Sequence, residues 1–146
     1  YTWINSDGGA GIAVAGFAPF VNPDSDYDGM PDAWEMEQFG TLAKEPGDDE
    51  DGDGGSNSEE HVAGTDPEDA GSFFAIESIA PAPAAGFVLQ WQSVPGRNYV
   101  VYHSEFLEGN WLPISGVLAG TGGLLSFTDS EDEIDKRFYR IVVTLP

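Results

Sequence analysis

FVLQWQSVPGRNYVVYHS, Phe87–Ser104, is the stretch on which the fold turns. Phe87, Leu89 and Trp91 alternate with Val88, Gln90 and Gln92, a period of two that sends one apolar row to one face of a strand. The segment VPGRN then breaks the run with turn residues, and Tyr99–Tyr102 resumes it.

Further apolar runs lie outward of this stretch, at Phe73–Ile79, Trp111–Ile114, Leu124–Phe127 and Phe138–Val143. PAPAAG, LEGN and GTGG separate them. Short strands spaced by turns, with no helical period, predict a small antiparallel β-sandwich or barrel over residues 71–146. Trp91 and Trp111 are its expected core aromatics.

The section before it, residues 22–70, is acidic. Residues 1–71 hold 18 Asp and Glu against Lys44 alone. Two copies of one pattern lie there, DSDYDGMPDAWE from Asp24 and DEDGDGGSNSEE from Asp49. In the first, Asp24, Asp26 and Asp28 stand at positions 1, 3 and 5, Met30 at 7, Asp32 at 9 and Glu35 at 12. In the second, the same positions hold Asp49, Asp51 and Asp53, then Gly55, Asn57 and Glu60. Gly29 and Gly54 stand at position 6.

Calcium takes about six to eight hard oxygens at loose geometry. Alternating Asp residues put three carboxylates inside a tight turn, and the Gly takes the sharp bend. The seventh residue offers its carbonyl, the ninth reaches directly or through water, and the Glu closes the site with two oxygens. Two bound calcium ions are therefore expected. Magnesium fits less well, because it demands strict octahedral geometry and keeps its waters.

Asn22-Pro23 and Glu45-Pro46-Gly47 disfavour a helix entering either loop. Exiting helices are predicted at Asp32–Phe39, stopping at Gly40, and at Asn57–Ala63, stopping at Gly64. Trp34, Met36 and Phe39 would be the apolar side of the first helix, packed on the sandwich.

DSDYDGMPDAWE and DEDGDGGSNSEEHVAGTDPEDA together resemble the thrombospondin type 3 repeat of secreted bacterial proteins, over Pro23 to Ala70. The resemblance implies structural calcium in an extracellular module. Dockerin modules share the loop-plus-helix unit, but they usually carry small hydroxyl residues at loop positions 10 and 11. Here those positions are Ala33-Trp34 and Ser58-Glu59, which argues against a cohesin-type partner. FVLQW, RNYVVYHS, Trp111 and RFYRIVV resemble a fibronectin type III-like sandwich.

Residues 1–21 form the third section. Ile12, Val14, Ala18 and Phe20 share one face of an extended chain, and Ala13, Ala15 and Phe17 the other. A strand apolar on both faces is buried on both sides. It either completes this chain's own sheet or adds to the sheet of the next subunit, and the second arrangement repeated head to tail builds a homopolymer. Ile12, Val14, Phe17 and Phe20 are the candidate partner-binding residues.

The whole chain of 146 residues carries a net charge of −21, so nucleic acid and anionic membranes are improbable partners. Ala10–Val21 is about half of the ~20 residues that a membrane helix needs. There is no cysteine, hence no disulfide or thiolate metal site. His61 lacks a matching zinc ligand and is expected in packing. His103 and Ser104 are adjacent in a strand and so face opposite ways, which suits no hydrolase pair. The chain reads as a non-enzymatic module, with sugar binding through exposed aromatics as the alternative.

Overall fold

The computed structural model describes residues 3–4, 10–11, 23–84, 86–131 and 137–146. In chain order the elements are β1 (Trp3–Ile4), β2 (Ala10–Gly11), α1 (Asp32–Gln38), α2 (Asn57–Ala63), β3 (Ile76–Pro81), β4 (Phe87–Gln92), β5 (Asn98–Ser104), β6 (Leu112–Pro113), β7 (Leu118–Ala119), β8 (Leu124–Asp129) and β9 (Phe138–Thr144). β1 and β2 pair antiparallel. Ile12, Val14, Phe17 and Phe20, with both readings of their strand, lie outside the described residues.

The chain is mainly β, with seven strands in two antiparallel sheets from Ile76 onward. One sheet runs β3–β4–β8, with Leu89 opposite Phe127 and Trp91 opposite Leu125. The other is built on β5, which pairs β9 along its full length and β6 and β7 over two residues each. The period of two in Phe87–Ser104 aims Leu89, Trp91, Tyr99 and Val101 between the sheets, where all four are fully buried. Full burial of one such side chain stabilises by about 1.5–3 kcal/mol. The rings of Trp91 and Tyr99 meet across the interior with centroids 6.0 Å apart. The Tyr99 hydroxyl also accepts the N–H of Val94 at 2.8 Å, fixing the VPGRN turn from within. At the other end Asp129 of β8 accepts from the Arg137 guanidinium and from the Tyr139 hydroxyl, stapling one sheet to the other.

Three expectations are corrected. Trp111 is only half-buried and outside the core, because its ring stacks on the Arg140 guanidinium at 4.7 Å, on the face that also carries Tyr102. The run Trp111–Ile114 forms only a two-residue strand, Leu112–Pro113, followed by one further bond from the Ile114 N–H to the Val101 carbonyl at 2.9 Å; Pro113 itself has no N–H to give. Met36 is 53 % exposed. The buried residue of α1 is instead Glu35, since a two-turn helix has one inward row and the carboxylate occupies it.

Both helices follow the predicted boundaries closely. α1 ends at Gln38, with Phe39 as its C-cap. α2 ends where expected, at Gly64 in the left-handed conformation, and starts with a reciprocal Ser56–Glu59 capping box. The Trp34 ring packs against His61 of α2 and Phe39. α2 is tied to the sandwich by Arg97, whose Nη2 donates to the His61 carbonyl at 2.8 Å. No helix among the described residues is long and apolar enough to cross a membrane.

Candidate metal centre

The two loops fold to one plan. The N–H of Asp32 donates to the carbonyl of Pro23, and that of Asn57 to the carbonyl of Asp48, each at 2.8 Å, so position 9 closes each loop onto the residue before it. Gly29 and Gly54 both donate to Oδ2 of the first Asp at 3.1 Å, and both take positive φ, +97° and +100°. The N–H of the seventh residue, Met30 or Gly55, donates to Oδ1 of the Asp two before it. Only Gly adopts such φ values without strain, so the Gly and the first Asp determine the bend together.

This bend gathers carboxylates. One oxygen each from Asp24, Asp26 and Asp28 lie within 4.8 Å of one another, and so do those of Asp49, Asp51 and Asp53. Each triad can hold a metal ion. Clustered exposed acids alone would not define a site; the glutamates at position 12 add the decisive feature. Glu35 is fully buried with both carboxylate oxygens unpartnered, and Glu60 is 3 % exposed with Oε2 unpartnered. Oδ2 of Asp51 and Asp53 and Oδ1 of Asn57 are likewise buried without a partner. A buried, unpaired carboxylate is costly, so an oxygen-preferring cation fits this donor set.

The electrostatics agree. Burial pushes the Glu60 carboxyl up to about 7, against a hydrogen bond from Thr65, and Asp51, Asp53 and Asp49 add to the rise. Burial first, then Asp26 and Asp28, raises Glu35. Burial and the neighbouring Asp28 raise Asp26.

Position 9 behaves differently. The Asp32 carboxylate accepts from the Ser25 hydroxyl and N–H, at 2.6 and 2.7 Å, which lowers its pKa. Asn57 donates through Nδ2 to the Glu45 carbonyl. Both residues brace their loops as well as facing them. At position 7 Met30 offers its carbonyl, and its side chain is fully buried. Sequence reasoning missed three supports: Thr65, whose hydroxyl donates to Glu60 Oε1 at 3.1 Å, Ser25, and the Ser56–Glu59 capping box. The box was legible, because Ser-x-x-Glu immediately before a helix is its signature.

No family model, curated protein or solved structure matches the chain.

Proposed function

We propose that the chain is a calcium-stabilised structural module that works outside the cell, as the thrombospondin type 3 repeats its loops resemble do. The observation that carries this reading is Glu35, fully buried with two unpartnered carboxylate oxygens behind an aspartate triad. Every donor is oxygen, the set is anionic, and the loop geometry is irregular, a combination that favours calcium over magnesium or zinc. Calcium sites of extracellular modules bind at roughly 0.1–1 mM, a range that extracellular fluid fills and cytosol does not. In this reading the ions offset part of the −21 charge and brace the acidic section against the sandwich.

The assembly we propose is a homopolymer or surface array joined by the apolar strand around Ile12, Val14, Phe17 and Phe20, a reading that rests on sequence alternation. Calorimetry should count two calcium ions per chain, and the melting temperature should rise in calcium and fall in a chelator. Absence of both effects overturns the calcium reading. Removing residues 1–21 should abolish polymers seen by electron microscopy while leaving calcium binding intact; unchanged polymers would sink the strand-donor reading.

A further inference from the structure

A cleft of about 620 Å³ lies between the second loop and the sandwich. One wall is Asp53, Gly55 and Glu60; the floor is Val62, Phe73 and Val143. Ligand sites commonly have this size and this make-up, a mostly apolar lining with a few convergent polar groups. The polar wall is the second metal site itself, so an ion held there faces the cleft. The unpartnered, buried oxygens of Asp53 and Glu60 lie in that wall. The first loop contributes nothing to the cleft.

The lining selects the occupant by charge. Among the described residues it contains no Lys, Arg or His, and in a chain of charge −21 an anionic ligand would meet no countercharge there apart from the ion. A cationic ligand competes with the ion for the unpartnered oxygens of Asp53 and Glu60, whose other oxygens are already engaged. Asp53 accepts from the Gly55 N–H, Glu59 caps Ser56, and Glu60 accepts from Thr65. A neutral ligand remains. Three Asp oxygens, the Gly55 carbonyl, Glu60 and the unpartnered Oδ1 of Asn57 supply about seven oxygens, and calcium takes up to about eight, the remaining place being exchangeable water. Neighbouring hydroxyls of a sugar are hard, neutral oxygen donors that replace such water. The Ser58 and Thr65 hydroxyls stand beside them, and Phe73, 60 % exposed, offers a ring for the apolar C–H face of a pyranose.

We propose that this cleft binds a neutral sugar, with one of two vicinal hydroxyls completing the coordination of the ion in the second loop and the ring face lying on Phe73. The inference rests on the metal reading of that loop. Its test is calorimetric titration of the full chain with methyl α-mannopyranoside, methyl β-galactopyranoside and methyl α-fucopyranoside, in calcium and in EGTA. A Lys- and Phe-containing peptide serves as the cationic arm. At least one sugar should bind in calcium and none in EGTA. Phe73→Ala should weaken that sugar at least about tenfold, roughly 1.4 kcal/mol, with both ions still bound, and Phe73→Tyr should restore it. Asp53→Asn should lose the second ion and the sugar together. Two bound ions with no sugar bound overturn this proposal alone, whereas no ion at the second loop overturns the metal reading. Sugar binding that survives EGTA or Phe73→Ala, or binding of the peptide alone, also overturns the proposal.

Discussion

The indole of Trp34 meets the imidazole of His61 edge-on, with ring centroids 4.9 Å apart and planes at 62°. Trp34 belongs to the helix that leaves the first loop, and His61 follows the closing glutamate of the second. The contact therefore joins the two acidic loops through their exit helices. Trp34 is half-buried, so Trp34→Ala should cost about 2 kcal/mol, below the ~3–5 kcal/mol of a fully buried aromatic. A double-mutant cycle with His61→Ala, measured by urea unfolding in calcium, should return a coupling of about 0.5–1.5 kcal/mol. Additive effects would show that the rings are neighbours without an energetic link.

Glu35→Gln and Glu60→Gln should act oppositely on the two forms of the protein. Each substitution removes charge from the closing ligand, so on the calcium reading each weakens its own site at least about tenfold and spares the other. Without an ion both carboxylates are buried, Glu35 with neither oxygen partnered and Glu60 with Oε2 unpartnered, and removing the charge relieves that cost. The melting temperature of each variant should therefore rise in chelator and fall in calcium, relative to the parent. Calorimetry that still counts two unaltered ions would refute the assignment of these ligands.

How far the sequence carried the fold is clearest at Phe87–Ser104. Period-two patterning put Leu89 and Trp91 on one face of a strand, and that face is the buried one, although Phe87 of the same row is 38 % exposed; Tyr99 and Val101 lie in a run apolar on both faces, which gave them no side. It misplaced Trp111, whose size suggested the core. Its stacking partner, Arg140, arrives from β9, a contact that no local pattern reports. β7 was invisible for a similar reason, since the three residues between Gly116 and Gly120 carry no periodicity and two of them pair only because β5 offers an edge. The two aspartate triads were legible, as the aspartate spacing is itself the geometry that gathers them. The cleft beside the second loop was not legible, because Val62, Phe73 and Val143 are brought together only by tertiary packing.

Tyr27 occupies the fourth position of the first loop with φ +63°, and Gly52 occupies the same position of the second with φ +80°. A side chain in the left-handed region costs about 1–2 kcal/mol, and Tyr27 recovers little of it because it is 90 % exposed. Tyr27→Gly should therefore stabilise the chain by up to about 1 kcal/mol, after allowing for the added freedom of the unfolded state. Gly52→Ala should destabilise it by about the same amount. Urea unfolding of both variants in calcium checks the pair. A loss of stability in Tyr27→Gly would mean that the exposed ring makes contacts which outweigh the strain.

Protonation of Glu60 sets the direction of the pH response. Its folded, ion-free pKa is about 7, above its ordinary 4.5, chiefly because it is buried. Between those values the folded chain holds a proton that the unfolded chain has released, so stability of the ion-free protein falls as pH rises through that window. Glu35 and Asp26, also raised, act with the same sign. Asp32 and Glu59, held low by hydrogen bonds from Ser25 and Ser56, lose their contribution only in more acid solution. Asp129 behaves likewise, because Arg137 and Tyr139 outweigh the upward push of burial. On the calcium reading the ion reverses the sign, since it requires the carboxylate and must displace the Glu60 proton below about pH 7. Melting temperatures in EGTA should fall from about pH 5 to about pH 8, while affinity for the second ion climbs over the same interval. Glu60→Gln should flatten much of the slope in EGTA. A melting temperature in EGTA that rises with pH would show that Glu60 is ionised throughout and that its burial is offset by contacts other than a bound cation.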